Sequence, residues 1–581
     1  MDKIKLDSPI APHGFLVSTD AWNRLNLDDI DPVTPQETAA PRVRMARAIA
    51  ARMNAERDSS APDARPARAG EILTMGLITR VLRHIAVRYC VITHPGIIDN
   101  GLDYVRRSWG ETTVDATLPE FTAQFAPEPV RADKMAPNRW LTGRSNGLPN
   151  LHTAFIETLL LQVTSENPAL APYLELHDPA PLRSAAPFDS YIGALEVWFA
   201  AQPPVAETGM AVLDTLRAPA KASPNSLDGQ LEFILREWRA FIPEEVFEEL
   251  LTARGVLREE TAMRGFGPGP SMALSFSDHD LYSEPEGFTP DKDWMPNVVL
   301  IAKSAYVWLH QLSIKHGRTI ARLDQIPNVE LDLLAHWGFN ALWLIGLWER
   351  SCASRDIKRR MGNPEAEASA YSLYDYDIAA DLGGEGAYHD LAERAWRRGI
   401  RLASDMVPNH MGLHSRWVVE HPDWFMQLSQ PPFPGYAFNG PDLSPDPRVG
   451  LFIEDGYWSH SDAAVVFKRV DRWTGDTRYI YHGNDGTNMP WNDTAQLNFM
   501  LPEVREAVIQ TILHVARKSP IIRFDAAMTL AKKHYQRLWF PKPGDGGAIP
   551  SRAERGMTRE EFDHAFPEEF WRQVVDRIAA E

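Results

Sequence analysis

Ile400-Arg401-Leu402-Ala403-Ser404-Asp405-Met406-Val407-Pro408-Asn409-His410 is the stretch on which the fold assignment turns. Ile400 to Val407 is a short, mainly apolar run of the length of a buried strand. It starts directly after Gly399, the residue type that best tolerates the left-handed position closing a helix. Upstream, apolar residues three and four apart predict a helix from Ala387 to Arg398. A helix that stops at glycine and passes straight into a buried strand is the repeating unit of a parallel sheet with right-handed crossovers.

The unit recurs on both sides. A helix near Asn328 to His336, closed by Gly338, leads into a strand at Asn340 to Gly346. A helix at Pro502 to Lys518 leads through Ser519-Pro520 into a strand at Ile521 to Asp525. A first strand is expected at Tyr306 to Leu312 and a last helical region at Glu560 to Ala580. The fold class is therefore α/β: four βα units, half of what a (β/α)8 TIM barrel contains. The long segment from Met411 to Leu501, rich in Trp, Pro, Asp and Gly, follows the third strand. In such barrels the working loops sit at the carboxyl ends of strands, so this 411–501 insertion is expected on the substrate face.

Before about Thr289 the pattern differs. Pro41 to Asn54, Gly70 to Tyr89, Leu151 to Thr164, Tyr191 to Ala200 and Leu227 to Trp238 show helical spacing, and Ala55 to Ala69 and Ala218 to Asn225 have the composition of exposed linkers. Two domains are expected: a mainly helical one at 1–289, of unassigned role, and the partial barrel at 290–581. The chain of 581 residues is long enough for more than one core.

Composition narrows the partners. Asp and Glu outnumber Lys and Arg 78 to 60, a formal net charge of -18 that repels a phosphate backbone, so no nucleic acid is expected. The first residues lack an apolar leader and no stretch approaches the ~20 apolar residues of a membrane helix, so no membrane is expected and the chain reads as cytoplasmic. Cys90 and Cys352 read as buried free thiols. The 18 Trp and 15 Tyr suit stacking on pyranose rings, although most such side chains simply fill cores.

In Arg523-Phe524-Asp525 the alternation of a strand puts Arg523 and Asp525 on one face. The cation keeps Asp525 ionised and oriented, as a nucleophile requires; the same pair also reads as a structural ion pair. Asp405, Asn409 and His410 bring a carboxylate, an amide and an imidazole to the same end of the neighbouring strand.

Together, D-x-V-x-N-H at Asp405 to His410 and R-x-D at Arg523 to Asp525 resemble the first two signature regions of the α-amylase family, glycoside hydrolase family 13. Ala370 to Tyr376, with Gly383-Gly384 beyond it, is similar to that family's G-Y-x-x-x-D-Y stretch, and Ala495 to Asn498 resembles its Q-P-D-L-N region. These matches fall in order between about 300 and 580. The resemblance implies a retaining glycosidase or transglycosylase acting on an α-glucan or maltooligosaccharide. Asp525 is then the nucleophile, Arg523 its positioning partner, His410 and Tyr371 the holders of the cleaved sugar, and Asp405 and Asn409 the shapers of the third strand end. No cofactor is required; calcium stays open through Asn409, with no other metal ligand assigned.

A retaining mechanism needs a second carboxyl group about 5 Å from the first. The family carries it as a Glu on the fifth strand, which is expected beyond Glu581, so these 581 residues by themselves lack the acid. Ser372 stands where many exo-acting members have Asp, and Met528 and Thr529 where many amylases have Lys and His, with Lys532, Lys533 and His534 one turn on. The alternative from another class is a non-catalytic glucan-binding or regulatory protein.

Overall fold

The computed structural model describes residues 8–30, 39–57, 65–240, 242–262, 294–486, 489–546 and 552–581. Up to residue 262 these are almost all helical. The helix Ala69–Val87 is buried at every position but His84, as expected of a helix that is apolar on all sides. Its buried charges are paired: Arg83 donates bidentately to Glu157 of the helix Asn150–Ser165 at 2.5 and 3.1 Å, and Arg80 pairs with Glu249, which satisfies these ions inside a core running from Ile10 to Leu257.

The helices expected at Pro41 to Asn54, Gly70 to Tyr89, Leu151 to Thr164, Tyr191 to Ala200 and Leu227 to Trp238 all form, each shifted at its ends by a few residues. Ala218 to Asn225 does not behave as a linker at its start. The helix Val212–Ala222 runs through Pro219, with Val212, Leu216 and Ala218 buried, because alanine's helix propensity and an apolar face outweigh one proline near the end. Residues 58–64 of the other expected linker, and the domain boundary near Thr289, lie outside the described residues; the ends of that linker, Ala55–Glu56 and Ala69, belong to the flanking helices.

The α/β part has its own core, from Ala305 to Val574. Its sheet has four parallel strands, β1 Leu300–Ser304, β2 Ala341–Ile345, β3 Arg401–Met406 and β4 Ile521–Phe524, in the spatial order β4-β3-β2-β1. The first strand is thus earlier than the sequence suggested. Tyr306 to Leu312 lies in the helix Ala305–His316, which buries Ala305, Trp308, Leu309 and Leu312 and stops at Gly317 in a left-handed conformation (φ +59). That burial spacing is helical, and it overrides the β-prone look of Tyr-Val-Trp.

The helices Asn328–His336 and Gly384–Trp396 contribute to this core beside buried Leu342, Leu344 and Leu402. Small residues line another cluster on the sheet, where Ala341, Ala403 and Ile521 meet Trp294, Val298 and Trp343. Among the described residues the sheet has β1 and β4 as open edges.

The segment 411–501 is ordered rather than a bare loop. It holds a four-stranded antiparallel sheet, Val449–Ile453, Val466–Asp471, Thr477–Tyr481 and Gln427–Leu428 in that order, and a short pair of His410–Gly412 with Thr494–Gln496. The last helical region is split into Arg559–Ala565 and Phe570–Ala580, and Glu581 pairs with Arg517 at 2.5 Å.

The two parts meet where Glu259 receives the Ala553 N–H at 3.2 Å on both carboxylate oxygens and Arg47 pairs with Glu554. Burial pushes Glu259 up to about 8, against the opposing pull of the Ala553 N–H and of Arg552 and Arg47, with Glu554 adding to the rise. A carboxyl raised in the folded state contributes stability that is complete below its ordinary 4.5 and is lost as pH climbs through about 8. Stability to urea, followed by tryptophan fluorescence, is expected to fall on the order of 2 kcal/mol between pH 6 and 8.5. Glu259→Gln should flatten that slope; an unchanged slope in the variant would assign it elsewhere.

Candidate active site

Asp405 and Arg523 are direct register partners across β3 and β4, so their side chains leave the sheet on one face at its carboxyl end. The Arg523 guanidinium lies 2.6 Å from Asp525 Oδ1 and 3.3 Å from Asp405 Oδ1 through the same Nη1. It also sits over two rings, 5.5 Å from the centre of Trp343 and 5.4 Å from that of Tyr371. One cation therefore holds two carboxylates beneath an aromatic pair.

The two acids differ in setting. Asp405 is 2 % exposed; its Oδ2 accepts the Trp343 indole N–H at 3.2 Å and its backbone carbonyl accepts that of Trp348 at 2.8 Å. Burial raises its pKa, and the Trp343 and Arg523 contacts pull it back down. Asp525 is more open, with 23 % of its side chain exposed, and its N–H donates to Met406 O at 2.8 Å, which continues the β3–β4 pairing by one residue. The next residue, Ala526, turns left-handed at φ +54, a conformation that costs a non-glycine residue about 1 kcal/mol. Thr529 answers that strain by donating to Ala526 O from both its backbone N–H, at 3.0 Å, and its hydroxyl, at 2.6 Å.

His410 is buried. Its Nε2 lies 3.1 Å from the Tyr371 carbonyl, which can only accept, so the proton is on Nε2; Nδ1 then accepts from Asn409 Nδ2 at 3.3 Å. Burial lowers its pKa, consistent with this neutral form. In this arrangement His410 fixes the backbone that presents Tyr371, and it can reach a sugar hydroxyl only by exchanging that bond. Trp491 packs on the imidazole with 5.0 Å between ring centres. Asn409 forms a reciprocal amide pair with Gln496, at 3.2 and 3.1 Å. Its oxygen thus accepts from Gln496 Nε2, and among the described residues no group of three or more His, Cys, Asp or Glu stands together.

All six residues singled out in the sequence thus belong to one contiguous network: Arg523 joins Asp405, Asp525 and Tyr371, Tyr371 accepts from His410, and His410 contacts Asn409. Ser372 donates to Asp493 O at 2.6 Å, and Met528 is exposed. Lys532 is held by Asp563 at 2.7 Å. The sequence reading passed over Trp343, Trp348 and Trp491. Trp343 was within reach of it, since alternation along the second strand puts it on the face of Ala341. Trp491 carried no local signal.

Over part of its length the chain is similar to enzymes of the α-amylase family. A maltogenic alpha-amylase from Thermotoga neapolitana matches with 16% identity over 42% of this chain and 42% of its own, at a TM-score of 0.25. An alpha-amylase from Lactobacillus plantarum matches with 15% identity over 47% and 44%, also at 0.25. A trehalose-6-phosphate hydrolase from Bacillus licheniformis matches with 16% identity over 46% and 41%, at 0.28. The chain thus spans less than half the length of these structures. No family model and no curated protein matches it.

Because Arg523 is the cation shared by both acids, Arg523→Gln should move the Asp405 titration further upward. The pH-dependent part of the tryptophan fluorescence that Trp343→Phe removes reports it. A midpoint that stays in place or falls would mean that Arg523 does not set the charge of Asp405.

Proposed function

We propose that the protein works on α-glucosidic bonds as a retaining hydrolase or transglycosylase of α-amylase type, with an α-glucan or maltooligosaccharide as substrate. The observation that carries this reading is the single guanidinium shared by Asp525 and Asp405 at the carboxyl ends of adjacent parallel strands. In this reading β1 to β4 are the first four units of a (β/α)8 barrel over 290–581, and residues 1–289 form a mainly helical domain of unassigned role.

Asp525, the more open of the two acids, attacks the anomeric carbon. The glycosidic bond breaks as the leaving oxygen takes a proton from a general acid that β1 to β4 do not carry, a glutamate in this reading. Water, giving hydrolysis, or a sugar hydroxyl, giving transfer, then attacks the anomeric carbon of the glycosyl ester; its proton passes to the glutamate that had served as the acid, and the ester bond breaks to free the Asp525 carboxylate. Arg523, 2.6 Å from its Oδ1, holds Asp525 in place and aims it. Tyr371 offers a ring to the sugar, held from behind by His410 and Asn409. Asp405, buried and fed by Trp343, anchors Arg523 and shapes the strand end.

α-Glucosyl fluoride separates the nucleophile from the acid, because fluoride leaves without a proton donor. The intact protein is expected to release fluoride, and Asp525→Asn to do so more slowly by roughly three orders of magnitude, with its circular dichroism unchanged. Undiminished release by the variant would remove Asp525 from the role. Maltooligosaccharide binding with no fluoride release by the unmodified protein would favour the non-catalytic binding reading instead.

A further inference from the structure

We propose that a cavity of about 560 Å³ between the helices Lys532–Trp539 and Arg559–Ala565 binds a phosphomonoester of about the size of a hexose phosphate. The volume lies within the range of small-molecule sites. Six cationic side chains line it against three carboxylates, a surplus of three positive charges in a chain of formal net charge -18.

Part of that surplus is already engaged: Lys532 and Arg559 meet at Asp563, 2.7 and 3.5 Å away. Arg537, Lys542 and Arg552 have no carboxylate within 4.0 Å among the described residues. Arg552 is the most telling, because it is 2 % exposed and its one side-chain hydrogen bond among the described residues goes to Leu538 O. Its Nε has none, and neither have Arg537 Nε and Gln536 Nε2. Every orphaned side-chain atom on this lining is therefore a donor. Glu259 acts on Arg552 only from beyond 4.0 Å, and its own N–H donor is Ala553.

A buried guanidinium without an acid is unfavourable unless an anion completes it. Guanidinium forks match the oxygens of phosphate and carboxylate alike, and a surplus of three charges suits a dianion better than a monoanion. Phe562, buried on the lining, and Pro541 beside it supply an apolar wall for the rest of the molecule.

Isothermal titration of the intact protein with glucose 6-phosphate, inorganic phosphate, glucuronate and glucose tests this. Both phosphates should bind, glucuronate at least about tenfold more weakly, and glucose not at all. Tighter binding of glucose 6-phosphate than of phosphate supports the apolar wall, and equal binding supports a site that recognises the phosphoryl group. Lys542→Glu and Arg537→Gln should each weaken binding about tenfold or more, whereas Arg517→Gln, at the distant Glu581 contact, should not. No binding of either phosphate, glucuronate binding as tightly as phosphate, or indifference to both variants would overturn the proposal. Asp525→Asn leaves this binding intact, so its outcome is separable from that of the enzymatic reading.

Discussion

The parallel register that sets Arg523 opposite Asp405 is the constraint on which the candidate site rests. A slip of one residue between β3 and β4 would send the guanidinium to the helix-covered face and strip Asp405 of its cation. The inner face helps fix that register, because Ala341, Ala403 and Ile521 leave room there for Trp343 and Arg523, whereas Leu342, Leu344 and Leu402 belong to the main core. A carboxylate as buried as Asp405 survives as an ion only with donors in place. The Trp343 and Arg523 contacts oppose the rise in pKa that burial gives Asp405.

The long insertion serves the same end. It leaves the sheet at Met406, pairs back on itself through His410–Gly412 and Thr494–Gln496, and so returns Gln496 to Asn409 and Trp491 to His410. Its own antiparallel sheet is tied down by buried Arg469, which donates to the carbonyls of Val418 and Val419 at 2.8 and 2.9 Å. His410 is thus held from both sides. A ring fixed in this way positions Tyr371 without reorganisation when a ligand arrives, which is how polar groups in a site gain most from their geometry.

Elements with a complete local signal were legible in the sequence. Asn328–His336 and Pro502–Lys518 form at the residues expected, and Gly338 and Gly399 take the left-handed φ of +87 and +71 that their place after a helix predicted. Misreadings arose where local propensity and tertiary burial disagreed. Tyr306 to Leu312 looks like a strand until the burial of Ala305, Trp308, Leu309 and Leu312 shows a helix period, and Ala218 looks like a linker until Leu216 is seen to be buried. The insertion sheet was illegible for another reason: Leu428 pairs with Tyr479, and no local pattern encodes a partner so distant in sequence. At the site, residues on strand ends could be found by alternation, whereas Trp491, delivered by a loop, could not.

Asp525 is also braced from behind, and that bracing joins the candidate site to the cationic cavity. The strained turn at Ala526 exposes the carbonyls of Ala526 and Ala527. Thr529 takes the first, and the Trp571 indole N–H takes the second at 3.0 Å. Trp571 in turn meets the ring of Phe524 edge-on at 5.0 Å, so the helix Phe570–Ala580 grips β4 immediately before and after the carboxylate. The residue capping that helix, Glu569, also accepts the Lys532 N–H at 2.9 Å at the start of the cavity helix. The helix Lys532–Trp539 is therefore tied to the turn that follows Asp525 by hydrogen bonds and one ring contact, through Glu569, Trp571 and Ala526.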